Sequence, residues 1–166
     1  MAQYFKAVFL DADTGAVTGS LRPGISFKLI EHAWQGSWFV DDVSRILTTP
    51  TRMVWAGDYA DAEPGYDPNG EVPNNLYHLA DKLATTPVPD TDVGGYLVNH
   101  DRRLYLRTDH LTAEDQIHPL PALTIENHQG DVEDPDGLVG TSARQLISVN
   151  DTPPDGYTEI DFTPWF

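Results

Sequence analysis

Three short stretches carry side chains able to ligate a divalent cation: Asp11-Ala12-Asp13, then Gly57-Asp58-Tyr59-Ala60-Asp61, then Asn99-His100-Asp101. Each follows an apolar run that reads as a strand, so carboxylates, an amide and an imidazole stand at strand ends. The same residue types also build plain turns, in which Asp58 accepts backbone N–H bonds and Gly57 relieves strain. Other chemistries find less material. The six histidines, at 32, 78, 100, 110, 118 and 128, include no pair four apart and no His-Glu-x-x-His, so a zinc site needs His100, His110, His118 and His128 to converge in space. His32, beside Glu31 in an apolar segment, reads as a hydrogen-bonded core residue. Calcium-loop spacing fails twice, with Gly15 at the fifth place after Asp11 and Pro135 at the fifth place after Asp131. Gly140-Thr141-Ser142-Ala143-Arg144 lacks the second glycine of a nucleophile elbow, and neither Gly-x-Gly-x-x-Gly nor a P-loop occurs. With no cysteine, disulfides, thiolate metal sites and cysteine nucleophiles are excluded.

The elements that must position these residues can be read from periodicity and turn chemistry. Residues 4–10 form an apolar, β-rich run, Asp11 to Gly15 has turn composition, and residues 16–21 return as a second strand, giving a hairpin. Residues 27–34 are ambiguous. Ser37 suits a helix cap ahead of Phe39, Val43, Ile46 and Leu47, with the helix ending before Pro50. Residues 52–56 read as a buried strand, followed by a long Pro/Gly/Asn-rich loop to residue 73. Asn74 or Asn75 caps a second helix with Leu76, Leu79, Ala80 and Leu83 on its apolar stripe and His78, Asp81 and Lys82 outside. Residues 96–99 and 104–107 flank a turn near Asp101. Around its prolines the segment 117–121 is expected to be extended, 140–149 a short helix, a strand or both, and 159–162 a strand. Pro164-Trp165-Phe166 is expected to pack on the body. The fold class that follows is α+β: one strand-rich globular domain over residues 1–166, with β-hairpins and two or three helices.

Charge sets the limits on partners. The 166 residues hold 26 acids against 10 Lys and Arg, a formal charge of −16, which disfavours direct binding to nucleic acid or to an anionic membrane. No run approaches the roughly 18 apolar residues of a membrane span, and the first residues reach charge too early for a secretory signal, so a cytoplasmic setting is expected. The acids are clustered: residues 57–71 hold five and no base, 126–136 five, and 151–161 four. Such loops keep a protein soluble, and they also suit a basic protein surface.

The first two cation-ligating stretches and Asn99-His100 resemble the motifs of calcineurin-like metallophosphoesterases, Asp-x-His, Gly-Asp-x-x-Asp and Gly-Asn-His-Asp/Glu. That resemblance implies a metal-dependent phosphoester hydrolase with a divalent metal on Asp11, Asp13, Asp58, Asn99 and His100. Asp13 stands where the first His of the pattern belongs, Val98 where its Gly belongs, and no Gly-His-x-His follows, leaving His118 and His128 as lone substitutes. At residues 54–61, at His118-Pro119-Leu120-Pro121, and at Leu138-Val139-Gly140 with Ala143-Arg144, the chain also resembles small acidic proteins of unknown function from bacterial and phage genomes. This second resemblance implies a mobile-element setting and assigns no residue a role.

The leading expectation is a non-enzymatic acidic interaction protein without a cofactor, an inhibitor that covers a basic, nucleic-acid-binding surface of a partner. Asp58, Tyr59, Asp61, Glu63, Asp131, Glu133, Asp134 and Asp136 are its contact candidates, the aromatic side chain supplying an anchor among charges. The alternatives are the metal-dependent hydrolase and a small-ligand-binding domain whose cleft is closed by the 57–73 loop.

Overall fold

Strand β1, Phe5–Leu10, is buried along its whole length because both of its faces are covered. The computed structural model describes residues 3–25, 27–70, 72–109, 116–128 and 130–166. β1 pairs antiparallel with β2, Val17–Leu21, across the expected hairpin, and on its other side with β3, Thr51–Gly57. The second hairpin joins β4, Tyr96–Asn99, to β5, Leu104–Arg107, through a turn at residues 100–103. β6, Leu146–Asn150, lies between β3 and β4, and β7, Thr158–Glu159, adds to β5 as a parallel edge strand. The result is one mixed seven-stranded sheet in the order β2-β1-β3-β6-β4-β5-β7.

Period-two alternation splits the side chains of the sheet between two layers. One face presents Phe5, Ala7, Phe9, Met53, Trp55, Leu97, Leu106, Ile147 and Val149 to α1, Leu29–His32, α2, Trp38–Ile46, and α4, Pro119–Thr124. The other presents Val8, Leu10, Val54 and Ala56 to α3, Leu76–Leu79, and the 3-10 turn Ala80–Lys82 that continues it. Ring packing organises the first layer. Trp55, Phe39 and His32 meet at centroid distances of 5.3 to 5.8 Å, and the indole Nε1 donates to His32 Nε2 at 3.1 Å. His32 is thus the bonded core residue that its apolar context indicates.

The expectation of two or three helices is overturned: four α-helices and a 3-10 turn occur among the described residues, around one large mixed sheet rather than separate hairpins. Two short helices account for the difference. α1 occupies the ambiguous 27–34 stretch for a single turn. α4 forms where the prolines suggested an extended chain, because Pro119 and Pro121 occupy its first and third positions, where backbone N–H groups have no intrahelical acceptor to lose. His118 Nδ1 caps it by accepting from Leu120 N at 3.0 Å. The 159–162 strand is also shortened. β7 ends at Glu159, Ile160 N still donates to Tyr105 O at 2.9 Å, and Phe162 then turns into the core. The terminal aromatics pack as expected, Trp165 bridging to Gln116 and Glu133 and Phe166 lying on the core. Among the described residues no helix is long and apolar enough to cross a membrane.

Candidate functional site

The pairing of β1 with β3 decides the fate of the cation-ligating stretches. Phe5 faces Gly57 and Leu10 faces Arg52, so Asp58 extends one end of this ladder and Asp11 the other, roughly 20 Å apart at about 3.3 Å per residue. Asp58 Oδ1 accepts from Tyr4 N at 2.9 Å, while Asp11 Oδ1 accepts from Asp13 N, Thr14 N and Thr14 Oγ1, a set of bonds that holds its carboxyl below the usual carboxylate range. Asp13 is exposed in the same turn. Asn99 and His100 have their own partners. Asn99 Nδ2 donates to Ser142 Oγ and Gln145 Oε1, its Oδ1 accepts from Arg102 N, and the two His100 ring nitrogens meet Tyr157 Oη at 3.0 Å and Ser148 Oγ at 2.7 Å. Burial pushes the His100 imidazole down from its ordinary value against the pull of Asp101.

The later histidines do not gather either. His100 stands on the sheet face opposite α4, His118 is buried under α4, and His128 Nδ1 accepts from Gly130 N in the 126–136 loop; His110 lies outside the described residues. No group of three or more His, Asp or Glu side chains placed to hold a metal ion occurs among the described residues.

What the fold brings together is the two largest acidic loops. β3 pairs with β6 only at Thr51 and Arg52; beyond that its edge is taken up by other backbone, Arg144 N donating to Met53 O and Glu126 N to Trp55 O. The chain that leaves β3 at residue 57 and the chain that leaves Ile125 therefore emerge side by side. Arg144 stands between them in the left-handed region, at φ 65°. Its Nε and Nη2 donate to Glu126 at 2.6 and 3.0 Å, and its Nη1 and Nη2 to Glu63 at 2.6 and 3.2 Å, two forked pairs on one guanidinium. These carboxylates hold the Arg144 ionisation above its already high ordinary value, Glu126 foremost.

Each loop is braced from within. Asn75, buried, donates from Nδ2 to Asp58 O and Ala60 O and caps α3 by accepting from His78 N. Asn74 O accepts from Glu63 N at 2.7 Å and its Nδ2 donates to Asp67 O, so the 57–73 loop is tied across its width. A Cβ at Gly57 would collide with Gln3 Nε2, so a side chain there would displace the Gln3 amide. Between this loop and α3 lies an open cleft of about 450 Å³ lined by Asp58, Tyr59, Val72, Pro73, Asn75 and His78. In the second loop Asp134 Oδ1 accepts from Leu138 N and Val139 N, Glu133 N donates to Trp165 O, and Val132 is buried.

The eight contact candidates therefore divide. Glu63 is a structural partner of Arg144, Asp58 accepts from Tyr4 N at the end of the β1–β3 ladder and Asp134 holds a turn, whereas Tyr59, Asp61, Asp131, Glu133 and Asp136 are exposed on the two joined loops. Arg144, Glu126, Asn74 and Asn75 were not among them; the sequence signal for the first is that it is the only Lys or Arg after Arg107 in a strongly acidic chain. No family model, curated protein or solved structure matches the chain.

Proposed function

We propose that the protein is a non-enzymatic interaction protein whose joined acidic loops, residues 57–71 and 126–136, dock on a basic surface of a partner protein. The observation that carries this reading is the Arg144 fork, which unites two of the three acidic windows of a chain with formal charge −16. Arg144 neutralises only part of the local charge, and Asp61, Asp131, Glu133 and Asp136 remain exposed to steer an oppositely charged partner, with Tyr59 as an aromatic contact. The partner surface is taken to be one that otherwise binds nucleic acid, which makes the chain an inhibitor by occupation in a cytoplasmic, mobile-element setting. That setting rests on the resemblance to small acidic proteins of phage and bacterial genomes. The hydrolase alternative is not advanced, because Asp11 and Asp58 of its ligand set stand at opposite ends of the β1–β3 ladder.

The test is capture at physiological salt with the wild-type chain and with a variant carrying Asp61→Asn, Asp131→Asn, Glu133→Gln and Asp136→Asn. A partner held by the first should be lost by the second, and its binding to DNA or RNA should be competed by the wild-type chain alone. Retention by both baits removes the docking reading. The cleft of about 450 Å³ under the 57–73 loop favours a second reading, a small-ligand site, which predicts a ligand whose binding Asn75→Ala abolishes while the four-acid variant keeps it.

A further inference from the structure

Lys6 is among the largest fully buried side chains of the molecule and the one charged residue among them. It points from the second position of β1 toward α3, is 1% exposed, and places Nζ 2.7 Å from Asp81 Oδ1 and 3.9 Å from the Tyr77 ring centroid. A charge so deep is normally covered by substantial structure. Here the cover is residues 76–82, of which Leu76 and Ala80 are buried while Leu79 is half-buried and Leu83 exposed. The chain on either side, residues 58–75 and 83–95, carries no helix or strand element among its described residues. Polar ties hold the unit: Asn75 to Asp58 O and Ala60 O in front, Thr86 N to Ser20 O behind, and Asp81 to both Lys6 and Arg22 in the middle.

We propose that residues 76–82 are a lid that opens as a unit while the sheet stays folded, that Asp81 is its latch, and that opening delivers the Lys6 amine to solvent. The energetics favour a local event. Lifting the lid uncovers only the smaller apolar cluster, Val8, Leu10, Val54, Ala56, Leu76 and Ala80, while the Lys6 ammonium regains its hydration and Asp81, whose side chain is already 41% exposed, keeps Arg22 as a partner. The opposite layer has no such unit, since α1, α2 and α4 are held through one continuous apolar cluster. This inference stands apart from the docking reading and survives its failure.

The experiment uses the whole chain and its three lysines, Lys6, Lys28 and Lys82, of which the last two are exposed. An acetyl N-hydroxysuccinimide ester is applied in short pulses and each lysine is followed by peptide mass spectrometry, with Lys28 as the internal reference. Lys6 should acetylate slowly in the native protein, at a rate nearly independent of low urea, as local opening requires. Asp81→Asn should accelerate Lys6 by about tenfold relative to Lys28 while tryptophan fluorescence keeps its native spectrum. The lid is overturned if Lys6 labelling in the wild type rises with urea as steeply as global unfolding does, or if a folded Asp81→Asn leaves Lys6 unchanged against Lys28. Should the variant not fold, the urea dependence of the wild type decides alone.

Discussion

The two faces of the sheet are built on the same strands but held by different forces. Toward α1, α2 and α4, residues of β1, β3, β4, β5 and β6 merge into one apolar cluster in which Trp55, Phe39 and Leu120 are fully buried. Toward α3 the cluster is small, and a buried lysine and its carboxylate partner stand where further apolar contact would otherwise be. Alternation along a strand thus gives each layer its own kind of stability: area on one side, a polar latch on the other. The largest expected effect tests the first kind. Trp55→Ala should destabilise the protein by about 3–5 kcal/mol, because it opens a cavity against Phe39 and leaves His32 Nε2 without its indole donor. Urea denaturation followed by circular dichroism measures it, and a loss under about 1 kcal/mol would show that the apolar layer is not where stability is concentrated.

A second, smaller effect lies in the same layer and depends on pH. His118 is buried, accepts from Leu120 N, and is pushed down to about 3 by that burial. A histidine whose folded value is depressed gives up stability as pH falls below its ordinary value near 6.5, since only the unfolded chain then takes the proton. Between pH 7.5 and pH 5 this group alone should remove about 2 kcal/mol. His100, also lowered by burial, acts in the same direction. His118→Asn keeps an acceptor for Leu120 N and removes the titration, so its stability should decline less over that range than the wild type's. Parallel pH profiles for the two chains would contradict the neutral, capping role of His118.

How much of this was legible beforehand follows the range of the interactions. The two hairpins were readable because a strand, a turn and a returning strand are encoded within some twenty residues, as at Asp11 to Gly15 and around Asp101. The Ser37 helix was readable from its cap position and spacing, although Ser37 makes no side-chain cap bond; at Asn75 the cap was readable but the apolar stripe was not, because one turn, Leu76–Leu79, passes into a 3-10 turn that leaves Leu83 exposed and brings Asp81 to Lys6. α4 was hidden by a rule applied one step too far: proline breaks a helix interior but suits its first turn. The position of β6 between β3 and β4 could not be read, because Leu146 meets Arg52 across more than ninety residues by register alone. The acidic loops were evident from composition, but not their union, which depends on the edge of β3 passing from β6 to the backbone of Arg144 and Glu126 and on a single guanidinium. The metal pattern failed for the converse reason, since neighbouring motifs in sequence lie at opposite ends of an antiparallel pair.

The smallest effect is expected on the other face, and its sign is what matters. Lys6→Met removes the buried ammonium and puts a flexible apolar chain of similar length against Val8, Val54, Ala56 and Tyr77. Burial already pushes the Lys6 amine below its ordinary value, against the pull of Asp81, so the folded state carries a desolvation cost that methionine does not. Asp81 is left with Arg22 and with water, and is not stranded. Global stability should therefore change by less than about 1 kcal/mol, in the stabilising direction if at all. The local effect should be larger than the global one: hydrogen exchange at residues 76–82 should slow in Lys6→Met and quicken in Asp81→Asn, although both substitutions abolish the same ion pair. If both instead quickened it equally, the pair itself would be the attraction holding that layer. Opposite responses would mean that the buried charge keeps the lid ready to open and that Asp81 latches it by offsetting that charge, which is the difference between the two faces reduced to one side chain.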